Sequence, residues 1–338
     1  MITAQELYEK LEHVTTSGST CRYTLEKCEE LAPKINEVNR LKKEKNAVVL
    51  VHSYVDPEIV YGVADYTGDS YALSKNAVEA DADVIVFTAV KFMGETAKIL
   101  NPTKDVLIPS ELNGCSLADS ITGEDIRRLK EQFPDYTYVC YINTTADVKA
   151  ESDVCVTSGN VYDIVEKLPT DKIFFLPDKL MGLNIIDEMK RRGVEKDIKL
   201  WEGTCYVHEE YDPEMIDYIR KEHQNLKVLA HPECSPGVLN HSDFVGSTAQ
   251  LLNYMKGSDA EKFLMLTECG LTSRLQVEMP EVKFVGSCSM CKYMKANTLD
   301  DILRVLKEPK PTDYVHIDEE VRVKAQDCID KMFEYAEK

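Results

Sequence analysis

Val84–Ser120, VIVFTAVKFMGETAKILNPTKDVLIPSELNGCSLADS, is the stretch on which the reading of this chain turns. It predicts a buried strand at Val84–Phe87, a turn at Met93–Gly94, a short helix, a second apolar strand at Val106–Pro109 and then Cys115 in a loop. Strand, loop and helix in that order are where α/β proteins place ligand chemistry. The pattern returns twice. Phe87, Phe175 and Phe263 recur at an interval of 88 residues, and Gly94, Gly182 and Gly270 keep the same interval within VFTAVKFMG, FFLPDKLMG and KFLMLTECG. Each copy runs on to a cysteine: Cys115, Cys205 and Cys291, spaced 90 and 86. Three similar units that each deliver one thiol from the same place imply a convergent three-cysteine site.

Outward from that stretch the repeats gain polar ends. Strand-like runs finish at His52 and Tyr54 (NAVVLVHSY), at Tyr141 and Asn143 (YVCYINTT), and at His231 and Glu233 (KVLAHPECSPG). Polar residues at the C-terminal ends of strands are favoured ligand positions in open α/β sheets. A hydroxyl-led helix follows each: GDSYALSKNAVEA at Ser70, TSGNVYDIVEKL at Ser158 and GSTAQLLNYMKG at Ser247–Thr248. Any one of these hydroxyls is explained as a helix N-cap. Three in register suggest in addition a set of helix N-termini, whose free N–H groups and dipole favour anions.

A chain of 338 residues suggests two or three domains, and an apolar content of 43% is enough to fill their cores. No apolar run is long enough to span a bilayer, and MITAQELYEKLEHV at the N-terminus is a charged amphipathic helix rather than a signal peptide, so a cytoplasmic protein with no membrane partner is expected. A formal charge of −19 excludes a phosphate-neutralising nucleic-acid binder. Eleven cysteines in such a chain are expected as reduced thiols rather than a disulfide framework. Cys140, Cys155 and Cys269 sit in apolar strand-like contexts and read as small core residues, while Cys21, Cys28 and Cys328 lie on terminal helices.

The predicted organisation is two N-terminal helices broken at Thr15–Thr20 (residues 1–46), followed by three α/β units at 47–121, 122–210 and 211–299. The segment 300–338 packs with the first unit, through a closing helix at Asp318–Tyr335. Three thiolates from separate units fit either zinc or an iron–sulfur cluster. Zinc sites show tighter paired spacings and a fourth ligand, and only Cys288 and Cys291 form a C-x-x-C pair. A cubane takes four thiolates, so three would leave one iron open as a Lewis acid. The even spacing favours Cys291 as the third ligand, with Cys288 as its challenger. His52 and His231 occupy equivalent strand ends and are functional candidates. His13, His223, His241 and His316 sit in polar surroundings, and His208 is read as supporting or exposed.

The stretches HSYVDPE, GDSYALS, ADVIVFTAVKFMGETAKILNP, NGCSLADS, YINTTADVKA, HPEC, GSTAQL, TECGLTSRL and CSMCKYMKANTL resemble the quinolinate synthase family of NAD biosynthesis over roughly residues 47–308. The resemblance implies three pseudo-threefold-related α/β/α domains around a central [4Fe–4S] cluster. It also implies condensation of iminoaspartate with dihydroxyacetone phosphate to quinolinate, with loss of phosphate and water, and an oxidase or dehydrogenase acting on aspartate as the source of iminoaspartate. Carried over residue by residue, the cluster ligands fall on Cys115, Cys205 and Cys291. The substrate contacts fall on His52, Ser70, Tyr141, Asn143, Ser158, His231, Glu233, Ser247 and Thr248, and the catalytic groups on Glu233, Tyr54 and His52. Glu233 and Tyr54 would move protons, which asks for pKa values near neutrality. Ser53 stands where the family carries a larger residue, and Gly94 replaces a common alanine. The nearest rival is a diphthamide-synthase-like enzyme with one cysteine per repeat. A rival of another class is a cluster-bearing redox sensor.

Overall fold

Runs such as AVVLVH, VIVFT, TYVCY and KIFFL are buried almost end to end, as strands covered on both faces must be. The computed structural model describes residues 1–15, 21–286 and 289–337. Most of the linker expected at Thr15–Thr20, and Cys288, fall outside them. The first sheet comprises β1 (Ala47–His52), β2 (Tyr66–Gly68), β3 (Val84–Thr88) and β4 (Asp105–Leu107). The second comprises β5 (Thr137–Tyr141), β6 (Val154–Val156), β7 (Lys172–Leu176) and β8 (Asp197–Leu200). The third comprises β9 (Lys227–Ala230), β10 (Phe244–Val245), β11 (Lys262–Leu266) and β12 (Lys283–Phe284). All strand pairs are parallel, and the orders β2-β1-β3-β4, β6-β5-β7-β8 and β10-β9-β11-β12 are the same arrangement three times. Helices flank the sheets, giving three α/β/α units. In each, the connections reverse direction between the first and third strands, the switch point at which open sheets bind ligands beyond their carboxyl ends.

Strand register sets the true correspondence between units. Leu50 pairs with Phe87, Val139 with Phe175 and Leu229 with Met265. His52, Tyr141 and His231 are therefore equivalent, but the third unit is shifted by two residues from a uniform interval of 88. The helices after β3, β7 and β11 begin at Lys91, Lys179 and Cys269, so Gly94 and Gly182 are fourth residues and Gly270 a second. Met93–Gly94 is not a turn but lies inside the helix Lys91–Leu100. The glycines do different work. A Cβ on Gly94 would meet Ile108 at 2.9 Å, and one on Gly182 would press into Leu200, so these two let a helix close down beside its last strand. A Cβ on Gly270 would strike the carbonyl oxygen of Tyr54 in the first unit. Gly270 thus permits contact between units. Gly270→Ala is expected to cost about 1–3 kcal/mol in urea unfolding, because backbone has to move. Gly94→Ala should cost less than Gly270→Ala, since its Cβ meets the Ile108 side chain rather than backbone.

The closing helix corrects the expected organisation. It runs Glu319–Glu337 and buries Ala325, Cys328, Ile329 and Met332 in the core of the second unit, with Val139, Cys140 and Val148, and touches the first only beside that core, where Phe333 meets Tyr71 and Arg322 donates to the Ile99 carbonyl. The segment before it does join the first unit: Leu299, Ile302, Val305, Leu306 and Val315 share a core with Val49, Val86 and the N-terminal helices. A helical apolar stripe says that a face is buried, not which neighbour buries it. The third unit has the smallest core of its own, and Leu229, Leu251, Met255 and Phe263 pack into that of the first.

Candidate active site at the meeting point of the three units

One cleft of about 680 Å³ takes its walls from all three units. Each contributes the same set of positions. The ends of the first strands give His52, Tyr141 and, one residue past β9, His231, and two residues on stand Tyr54, Asn143 and Glu233. The residues just after the second strands give Ser70, Ser158 and Thr248, and the loops after the fourth strands give Cys115, Cys205 and Cys291. Twelve of the thirteen residues singled out from the sequence therefore line one cavity; Ser247 does not.

Ser247 is a helix cap. Its hydroxyl accepts from the Gln250 N–H, and the Gln250 side chain returns the bond, a capping box. The expectation of three hydroxyl caps in register is corrected. Asp69, not Ser70, caps the helix Ser70–Glu79, and Ser158 precedes the helix Val161–Lys167, whose N-cap position is Asn160. The equivalent trio is Ser70, Ser158 and Thr248. Cys269, expected in a strand, begins the helix Cys269–Glu278, and Cys21 lies in an isolated bridge with Thr15 rather than on a helix.

The cysteine loops are built alike. Lys91, Lys179 and Cys269 donate their backbone N–H groups to the carbonyls of Asn113, Gly203 and Ser289, each two residues before a site cysteine. The amides of Asp119, Glu209 and Lys295 in turn bond the carbonyls of Cys115, Cys205 and Cys291. One hydrogen-bonding scheme thus presents each thiol.

A chain of polar contacts crosses the cavity. The Thr248 hydroxyl donates to Tyr54 Oη at 2.9 Å, and Tyr54 Oη lies 2.8 Å from Thr267 Oγ1. Thr267 Oγ1 is 3.2 Å from His208 Nε2, and His208 Nδ1 stands 3.0 Å from Glu233 Oε2 and 3.3 Å from Cys205 Sγ. The Tyr141 hydroxyl donates to Glu233 Oε1 at 2.7 Å, and Asn143 reaches the same oxygen at 3.5 Å. The neighbouring turn is pinned by Lys149, fully buried, whose ammonium donates to the carbonyls of Ile142 and Thr144.

His52 and His231 share a local device: Nδ1 of each accepts the N–H of the residue two ahead, at 3.2 and 3.4 Å. That assigns the proton to Nε2 in both. Burial pushes both imidazoles down to about 3, so they stand neutral. Unfolded, they take up protons near pH 6.5. The unfolded chain therefore binds more protons than the folded one between these values, and stability should fall as the pH drops from about 6.5 toward 3. The check is the urea midpoint against pH, and His52→Gln should lower its slope in that window.

Burial pushes the Tyr54 and Tyr141 phenols up, so both remain protonated. For Glu233 burial acts upward, but the His208 imidazole at 3.0 Å and the Tyr141 hydroxyl outweigh it and hold the carboxylate below its usual range. Tyr54 and Glu233 are thus driven apart rather than both drawn to neutrality as expected from the sequence, an arrangement that separates an acid from a base.

The thiols answer the question of a metal. Burial raises Cys115 to about 12 and also raises Cys205 and Cys291. As thiolates they would be three buried anions in a cavity whose described lining contains no Lys or Arg. Such a donor set needs the positive charge of a metal centre. Among the described residues, the one trio of ligand atoms within 4.8 Å of one another is Cys205, His208 and Glu233. The three thiols are not drawn to single-ion spacing, and their soft donor set fits an iron–sulfur cluster.

His208 is the residue that sequence reasoning undervalued. It is 3% exposed, stacks on His231 at 4.8 Å and sits at the centre of the chain of polar contacts. Its signal was there: it lies three residues after Cys205, on the short helix Tyr206–Glu209 that Cys205 precedes. Thr267 and Glu268, within TECG, also belong to the site, and only the fold brings them to it.

Residues 36–334 match the family model described as "Quinolinate synthetase A protein". The chain is 40% identical over 326 residues to a quinolinate synthase of Sinorhizobium fredii (strain NBRC 101917 / NGR234), covering 96% of this chain and 87% of that one. It is 43% identical over 298 residues to one of Xylella fastidiosa (strain 9a5c), covering 88% and 86%. It is 45% identical over 274 residues to quinolinate synthase 2 of Mesorhizobium japonicum (strain LMG 29417 / CECT 9101 / MAFF 303099), covering 81% and 83%.

Proposed function

The chain belongs to the quinolinate synthetase A family and is an enzyme of quinolinate synthesis for NAD, and on that premise we propose that it condenses iminoaspartate with dihydroxyacetone phosphate, losing phosphate and water, beside a [4Fe–4S] cluster held by Cys115, Cys205 and Cys291. The observation that carries this reading is that three equivalent loops each deliver one thiol to a cavity that the polar groups at three strand ends also line. In class it is a transferase. The reading has it work in the cytoplasm, with iminoaspartate coming from an enzyme that oxidises aspartate.

When bound, the cluster supplies a Lewis-acid iron with an open position, because three thiolates serve a cubane that takes four. The protein's own groups do the rest. Ser70, Ser158 and Asn143 offer neutral donors to the dicarboxylate, and Thr248, opening its helix, offers its backbone N–H to the phosphate. His52 and His231, neutral with Nε2–H free of the local bond, donate to substrate oxygens without adding charge. Glu233 is the base: its carboxylate is ionised, and His208 can carry its proton toward Thr267. Tyr54 is the acid, a phenol kept protonated by burial and joined to the same relay through Thr267.

The test is anaerobic turnover. Cluster-reconstituted protein, freshly generated iminoaspartate and dihydroxyacetone phosphate should yield quinolinate by chromatography. No product from protein holding an intact cluster would overturn the assignment of substrates. A second reading, a single zinc ion on Cys205, His208 and Glu233, follows from their spacing. Activity with zinc and no iron would establish it in place of the cluster.

A further inference from the structure

We propose that Lys295 is a positioning residue that locks the Cys291 thiol and the Tyr54 phenol into one geometry across the boundary between the third and first units. The inference rests on the reading of Cys291 as a cluster ligand and Tyr54 as an acid. Lys295 follows Cys291 by one helical turn, and its N–H bonds the Cys291 carbonyl at 3.1 Å. Its side chain, 13% exposed, crosses to the first unit, where the ammonium donates to the Tyr54 carbonyl at 2.7 Å and lies 3.2 Å from Asp56 Oδ1.

Glu268 completes the clamp. It is 1% exposed, and its Oε1 accepts the Cys291 N–H at 3.1 Å while lying 3.7 Å from the Lys295 ammonium. Its Oε2 accepts the Gly270 N–H at 2.6 Å, on the residue whose missing side chain lets the Tyr54 carbonyl approach. One carboxylate therefore holds the cysteine loop, and the cation paired with it holds the tyrosine loop. The corresponding positions in the other units are Asp119 and Glu209, which bond the Cys115 and Cys205 carbonyls in the same way but carry the opposite charge. The cation is peculiar to the third unit.

The charges also balance locally. Asp56 pairs with Arg22 at 2.9 Å as well as with Lys295, so two carboxylates meet two cations. Removing the ammonium leaves an excess buried negative charge beside the thiolates and frees both loops.

The variants are Lys295→Met, Lys295→Arg and, as a control for simple loss of stability, Met332→Ala in the closing helix. In the full cluster-free chain, iodoacetamide labelling of each cysteine is followed by peptide mass spectrometry. Lys295→Met should speed labelling of Cys291 by about fivefold or more through local opening, leaving Cys115 and Cys205 within about twofold. In the reconstituted enzyme kcat should fall about tenfold with KM changed less than about threefold, as for a misplaced reacting group. Lys295→Arg should restore most of both. Unchanged Cys291 labelling, or equal acceleration of all three thiols as in the control, overturns the proposal. Failure of the wild-type enzyme to form quinolinate would instead count against the reaction proposed above, and the labelling arm would still decide the role of Lys295.

Discussion

Cys205→Ala should leave a folded chain that holds no intact cluster and forms no detectable quinolinate. Cys205 caps a short helix at the mouth of its loop, its backbone is fixed by the same bonds as those of Cys115 and Cys291, and its sulfur faces the shared cavity. A cubane left with two protein thiolates has lost its scaffold. Stability should change little, because Cys205 borders the cavity and removal of one sulfur there leaves no closed void. Cys140→Ala is the contrasting case. Cys140 is fully buried on β5, 3.7 Å from the Cys328 sulfur, in a core away from the cavity. It should keep iron, sulfide and turnover while losing about 1 kcal/mol of stability to the small void. Iron and sulfide analysis, visible absorbance and chromatography separate the two. Iron retained in Cys205→Ala would remove that residue from the ligand set.

Glu233→Gln should retain the cluster and lower kcat by about 10²–10⁴-fold, the span typical of a lost general base. Size and shape are nearly preserved. What changes is that one oxygen becomes an NH₂ group that cannot take up a proton. Tyr141 donates to Oε1 at 2.7 Å, so the amide either keeps its carbonyl there or sets a donor against that hydroxyl. KM should move little, because the dicarboxylate and phosphate are held elsewhere. Steady-state kinetics beside the visible spectrum of the cluster checks both halves. Turnover within tenfold of wild type would shift the base to another member of the relay, His208 first. A cluster-bearing sensor would lose nothing in this variant.

Much of this was legible in the sequence because repetition makes positions comparable. The three cysteine loops, the strand-end pairs His52/Tyr54 and His231/Glu233, and the α/β class all follow from patterns that recur. Matching glycine to glycine then misled: Gly270 is set two residues from its apparent partners, because its work is to admit the Tyr54 carbonyl rather than a strand of its own sheet. Ser247 shows that a capping hydroxyl and a cavity-lining hydroxyl look alike in one dimension. Similarly, the apolar stripe of the closing helix named its buried face without naming the second unit as its partner. His208 and the Lys295–Glu268 clamp were illegible for a different reason. Each joins residues from different units, and neither repeats.

The central claim is that three thiols, one from each unit, hold a single cluster with one iron left open to substrate. Mössbauer spectroscopy of ⁵⁷Fe-reconstituted protein, with and without quinolinate, tests it most directly. A [4Fe–4S] spectrum in which one iron of the four shifts on addition of quinolinate is the expected result. A spectrum indifferent to quinolinate, or protein that turns over with no iron bound, would contradict it.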